Sequence, residues 1–137
     1  MPEKNSRILA LDFGTVRIGV AISDPTQILA SPLTTIENNA KSAKEIRKLI
    51  QENQVSVLVI GYPLNLKGKE EIAAGKVDDF IGKLALNDIE IVKWDERFSS
   101  STAMNLLHEA GVKVKKDKGR IDRSAAAVIL QNYLDSK

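Results

Sequence analysis

The chain reads as an α/β protein built on a mixed five-stranded sheet, and three observations point there. Ile8 to Leu11 and Ile18 to Ile22 are near-continuous apolar runs of strand length, separated by Gly14-Thr15 where a hairpin must reverse. Beyond Asn38, segments of helical period alternate with short runs rich in Val and Ile, the order that adds parallel strands. With 137 residues, 43% of them hydrophobic, there is material for one core and too little for two full domains, so residues 1–137 read as a single domain.

Each element has its own signal. After the hairpin, Asp24-Pro25 marks a turn, and Ile28 to Ile36 reads as a third strand that Pro32 confines to a sheet edge. A helix is expected from Asn38-Asn39 to about Gln54. Its Ala43, Ile46, Leu49 and Ile50 share one face, and Lys41, Lys44, Arg47 and Lys48 form a solvated one. Val55 to Ile60 is a buried strand ending at Gly61-Tyr62-Pro63. A loop with Gly68 leads to a helix over Glu70 to Leu86, whose inward stripe is Ala73, Val77, Phe80, Ile81 and Leu84. Ile89 to Trp94 is the last strand, followed by Asp95-Glu96-Arg97. Hydroxyls of Ser99 to Thr102 cap a helix through Ala110, and Gly111 ends it. Asp122 then opens a final helix to about Asp135, apolar nearly all round.

Composition removes several chemistries. Without cysteine there are no disulfides, thiol nucleophiles or thiolate zinc sites, and a single histidine excludes a His-rich site. A metal would have to be held by oxygen, which favours Mg²⁺ or Mn²⁺. No apolar run reaches the roughly eighteen residues of a membrane span, and Met1 to Arg7 has no apolar signal core, so a cytoplasmic protein is expected. Net charge is only +2, but residues 112 to 123 hold Lys113, Lys115, Lys116, Lys118, Arg120 and Arg123 against Asp117 and Asp122. Such a focused basic segment suits a phosphate backbone, and it equally suits a solvated loop.

Three acids fall at element ends. Asp12 closes the first strand, Glu96 follows the last, and Asp122 begins a helix. In open α/β sheets, sites gather outside the carboxyl ends of the parallel strands, so these carboxylates can meet at one rim and hold two divalent cations against a phosphodiester. Each has a plainer use: Asp12 as an Asx-type cap of the Gly14 turn, Glu96 in an ion pair with Arg97 or Arg123, Asp122 as a helix N-cap.

Asp12-Phe13-Gly14-Thr15 with Arg17-Ile18-Gly19-Val20-Ala21, Gly61-Tyr62-Pro63-Leu64-Asn65 with Gly68, Trp94-Asp95-Glu96-Arg97, and Ile121-Asp122 with Ala125-Ala126 and Ile129-Leu130-Gln131 together resemble the YqgF/RuvX family. That family comprises Holliday junction resolvases also regarded as pre-16S rRNA processing nucleases. The resemblance spans nearly the whole chain. It implies a ribonuclease H-like fold and a divalent-metal nuclease acting on structured RNA or branched DNA, with Asp12, Glu96 and Asp122 as catalytic metal ligands. Arg17 and Arg97 match the family's arginines and suit phosphate, their plainer use being to pair with Asp12, Asp95 or Glu96, and Asn65 either contacts the substrate or shapes its loop. Lys115, Lys116, Lys118, Arg120 and Arg123 would hold the backbone. Lys67 and Phe98-Ser99-Ser100 depart from the family pattern without touching a proposed ligand.

By strand alternation Asp95 points away from Glu96 and ranks behind it. Trp94 reads as core, Gly19 as a place of close backbone approach, and His108 as solvent-facing. Two other readings stand beside the nuclease. A non-catalytic nucleic-acid-binding module would use the acids only to cap and pair. The Asp-x-Gly-Thr hairpin also resembles the phosphate loop of actin-like ATPases, but those folds need a second such domain. Two coordinated cuts in a junction would call for a homodimer, whereas RNA trimming can be done by a monomer.

Overall fold

The computed structural model describes residues 6–62, 69–95 and 118–137. Their five strands form one sheet: β1 Arg7–Phe13, β2 Arg17–Ser23, β3 Ala30–Glu37, β4 Val55–Tyr62 and β5 Glu90–Asp95, in the order β3-β2-β1-β4-β5. β1 pairs antiparallel with β2 and parallel with β4; β3 extends the antiparallel side and β5 the parallel side. This is the mixed sheet of a ribonuclease H-like fold. β1 is central, and its Ile8, Leu9, Ala10 and Leu11 are all fully buried, because helices cover both faces of the sheet.

The expected edge strand is β3. Opposite it the register jumps from Val20–Thr34 to Ala21–Pro32, so Leu33 is the extra residue of a bulge placed beside the proline that cannot donate. The Asp24-Pro25 turn also forms. Asp24 accepts from the N–H groups of Thr26 (3.2 Å), Ile28 (2.8 Å) and Leu29 (2.8 Å) and from the Thr26 hydroxyl. These bonds, that of the hydroxyl first, hold its carboxyl well below the usual carboxylate range.

Helix α1 spans Ser42–Glu52 and α2 Lys69–Leu84; both cover the face formed by Leu9, Leu11, Ile18, Val20, Leu58 and Ile60. Asn38 and Asn39 do not begin α1 as expected. Asn39 instead folds the approach, its Oδ1 accepting the Lys41 N–H (2.8 Å) and its carbonyl the Ser42 hydroxyl (2.7 Å). Ile46 and Ile50 are buried as expected, with Lys41, Lys44, Arg47 and Lys48 exposed. In α2 the inward stripe contains Ala74 rather than Ala73, which is exposed. The helix stops two residues short of Leu86, because Ala85 takes a left-handed φ of 49°.

On the opposite face lies α3, Lys118–Asp135, packed on Ile8, Ala10, Ala21, Val57 and Val59 through Ala126, Ile129, Leu130 and Leu134. It begins four residues before the expected Asp122 start, so Asp122 is inside the helix and is not its N-cap. The burial that its apolar residues lead one to expect is one-sided: Ala125, Ala126, Ile129 and Leu130 are buried, while Ala127 and Val128 are half-buried. The Gln131 amide fastens it to the sheet edge, accepting from Ala30 N–H (2.9 Å) and donating to the Ile28 carbonyl (3.0 Å). The expected helix from Ser99 to Ala110, and His108 within it, lie outside the described residues. No described helix is long and apolar enough to cross a membrane.

Candidate active site

Asp12 sits one residue before the end of β1, and the two-residue period of the strand puts it on the same face as Ile8 and Ala10, towards α3. Its lateral neighbours follow from the register. Asp12 pairs with Gly19 of β2, which pairs with Thr35 of β3. One step beyond the Leu11–Ile60 pair, Asp12 lies beside Gly61 of β4, which pairs with Trp94 of β5. The row across the sheet is thus Thr35, Gly19, Asp12, Gly61, Trp94. Neither strand neighbour of Asp12 brings a side chain alongside its half-buried carboxylate.

The turn after Asp12 is held by the backbone. Gly14 N–H donates to the Arg17 carbonyl (2.9 Å). Asn38 clamps the turn from the end of β3, its amide donating to the Gly14 carbonyl (2.7 Å) and its backbone N–H to Val16 (2.9 Å). This role of Asn38 was not legible in the sequence, where a residue so placed reads as a helix start. Arg17 begins β2 on the face of Gly19 and Ala21, half-buried, on the same side of the sheet as Asp12. Arg123, from α3, donates to the Thr35 hydroxyl at 3.5 Å, at the far end of the same row.

Of the other expected site residues, Asp122, Lys118 and Arg120 belong to the first two turns of α3. Glu96, Arg97, Asn65, Lys115 and Lys116 lie outside the described residues. Asp95 is 8% exposed at the end of β5. Alternation places it on the face of Lys93 and Ile91, opposite Trp94, as its position in the strand implies. Trp94 is partly buried and packs against the core on the α3 side, meeting Tyr133 edge-on at 5.4 Å between ring centroids. Its buried Nε1–H has no partner among the described residues.

On the α2 face, the end of β4 is braced by charge. The Tyr62 hydroxyl donates to Asp78 (3.0 Å), Lys93 pairs with the same carboxylate (2.8 Å), and its ammonium lies 4.7 Å from the Tyr62 ring centroid. The Lys93 hydrogen bond, and then that of Tyr62, hold Asp78 below the ordinary carboxylate range; the Asp78 bond raises Lys93. Partial burial, and then Asp78, push the Tyr62 phenol up.

Among the described residues no three acidic or histidine side chains gather into a metal-binding group. The donor chemistry that is described fits a hard cation: a half-buried strand carboxylate with glycine on both sides, in a chain without cysteine.

Over residues 6–136 the chain matches the family described as "RuvX: Holliday junction resolvase". A protein of Fusobacterium nucleatum subsp. nucleatum is 44% identical over 135 residues, covering 96% of this chain and 98% of its own. One of Sulfurihydrogenibium sp. (strain YO3AOP1) is 47% identical over 133 residues, covering 95% and 90%. Both carry the name "Putative pre-16S rRNA nuclease". Among solved structures, Fowlpox virus resolvase in complex with Holliday junction DNA superposes with a TM-score of 0.60 at 11% identity, covering 95% of this chain and 97% of that one. T. thermophilus RuvC with a Holliday junction substrate gives 0.59 at 10%, covering 96% and 94%. At such identities the likeness is one of fold.

Proposed function

Because the chain belongs to the RuvX family of Holliday junction resolvases, a family of phosphodiester hydrolases, we propose that it is a metal-dependent nuclease that trims the 5′ side of precursor 16S rRNA. The observation that carries the reading is the Asp12 row. A carboxylate is held part-way out of water at the carboxyl end of the central strand, with a glycine beside it on each adjacent strand.

In this reading Asp12, Glu96 and Asp122 hold Mg²⁺ or Mn²⁺, which when bound lowers the pKa of water and neutralises charge on the phosphate. The chain's own residues do the positioning. The Gly14 turn, clamped by Asn38, fixes Asp12 and Arg17 relative to one another, and Arg17 stands on the same face as a phosphate ligand. Lys118 and Arg120, in the first turn of α3, take the backbone together with Lys115, Lys116, Arg97, Arg123 and Asn65. Residues 1–137 act as one nuclease domain in the cytoplasm. Resolution of a four-way DNA junction is the second reading, favoured by the fold shared with Fowlpox virus resolvase and RuvC. It requires a homodimer, while trimming of an RNA end can be done by a monomer.

The test is cleavage of a labelled RNA precursor and a labelled four-way DNA junction with Mg²⁺ or Mn²⁺, beside Asp12→Asn. Metal-dependent cutting that the variant loses while still binding nucleic acid is expected. Binding of either substrate without cutting by the wild-type protein would instead identify a non-catalytic binding module.

A further inference from the structure

We infer that the cleft between α1 and α2 is a second nucleic-acid site, which holds a nucleotide from a single-stranded stretch of the substrate; the inference rests on the nuclease reading above. The cleft has a volume of about 550 Å³, within the range of small-ligand sites. It lies on the opposite face of the sheet from the Asp12 carboxylate but begins at the next residue, since Phe13 lines it together with Thr15 of the turn. A strand leaving Asp12 therefore has only the Gly14 turn to round before it enters.

The lining has the mixture an unstacked nucleotide needs. Lys76, Asp79 and Lys83 recur at spacings of three and four on one exposed face of α2. Neither lysine forms an ion pair among the described residues, so both ammonium groups are available to phosphate. Asp79 stands between them and makes the spot a poor seat for backbone phosphates alone. A carboxylate there accepts instead from the amino or ring N–H groups of a base. Asn39 is exposed, and while its Oδ1 is held by Lys41 N–H, its amide NH₂ makes no hydrogen bond among the described residues and can reach a base edge. Half-buried Phe13, backed by Phe80 at 5.0 Å between ring centroids, supplies an aromatic wall. Cation, carboxylate, amide and ring together suit a splayed-out base and its phosphate, whereas a paired helix would present only its backbone. Beyond the mouth, exposed Lys41 and Lys44 continue the positive charge along α1.

The experiment compares binding of a fluorescent RNA hairpin, with and without a short single-stranded extension, to the intact protein in EDTA. The wild-type protein should bind the extended probe more tightly. The double variant Lys76→Ala with Lys83→Ala should bind both probes alike. Its slope of log K against log salt for the extended probe should be shallower by about 1.4, at about 0.7 per lysine lost from a single-strand contact. Lys76→Arg with Lys83→Arg should restore both. A wild-type protein indifferent to the extension, or an alanine variant that keeps both the preference and the slope, would overturn the inference. Since no metal is present, failure here leaves the cleavage assay untouched, and a protein that binds the extension but cuts nothing would refute the nuclease reading alone.

Discussion

Replacing Gly14 with alanine tests the most constrained point of the site. A Cβ there would stand 2.5 Å from the Arg17 carbonyl oxygen, a separation that real Cβ atoms essentially never show. That oxygen cannot simply move away, because it accepts the Gly14 N–H at 2.9 Å. The Gly14 carbonyl in turn holds the Asn38 amide at 2.7 Å, so the turn cannot rotate without releasing β3. Losing these two hydrogen bonds costs about 1 kcal/mol each, and residual steric strain adds about 1 kcal/mol or more. A destabilisation of about 3 kcal/mol corresponds, in a chain of this size, to a fall in Tm of about 10 °C. Thermal and urea unfolding followed by circular dichroism would measure it, with an unchanged m-value showing that only stability has moved. Asn38→Ala removes the amide bond alone and should cost about 1 kcal/mol. The double variant should cost less than the sum, since both act on one bond. A Gly14→Ala protein melting within about 2 °C of wild type would refute the reasoning, because the turn would then have slack that the geometry denies.

Ile129→Ala, at a fully buried position where α3 meets the sheet, should cost about 2–5 kcal/mol in urea unfolding; a loss below about 1 kcal/mol would mean that α3 does not pack there as described. The Lys93–Asp78 pair is about half exposed, so Asp78→Asn should cost no more than about 1 kcal/mol at neutral pH. Asp78 is depressed in the folded protein, so its contribution is present above the ordinary carboxylate pKa of about 4 and lost as pH falls through the folded value. Lys93 is raised, so its share is lost only above about pH 10. The stability difference between wild type and variant should therefore close on the acid side, and a difference that does not shrink as pH falls below the ordinary carboxylate pKa would contradict the assignment. Asp24→Ala should strip protection from the Ile28 and Leu29 amides in hydrogen exchange while leaving the β1 amides protected; unchanged exchange at those two sites would show that the turn is held by something other than the carboxylate.

Where local chemistry decides the outcome, the sequence could be read. Pro32 placed its strand at the edge because a residue without an N–H cannot sit inside a ladder. Asp24-Pro25 turned because an aspartate can satisfy the N–H groups just ahead of it. Boundaries were read less well where the reason was distant. Asn38 resembles a helix start, yet its amide is committed to Gly14, 24 residues earlier. Ala73 and Ala74 are chemically identical, and only the angle at which α2 meets the sheet buries the second. Asp122 reads as a cap because it follows a basic segment with Lys118, Gly119 and Arg120, but packing of Ala126 and Ile129 on the sheet carries a helix that extends back through them.

By itself, the sequence determined the α/β class, the hairpin and the oxygen-only donor chemistry, since periodicity, glycine and the absence of cysteine act through neighbouring residues or composition. Only the tertiary structure decided that Gly19 and Gly61 flank Asp12, that Asp12 and Asp95 are on opposite faces, and that Asn38 holds the turn between Asp12 and Arg17. Those relations depend on strand register, which is set by the sum of core contacts across the whole sheet and is written at no single position.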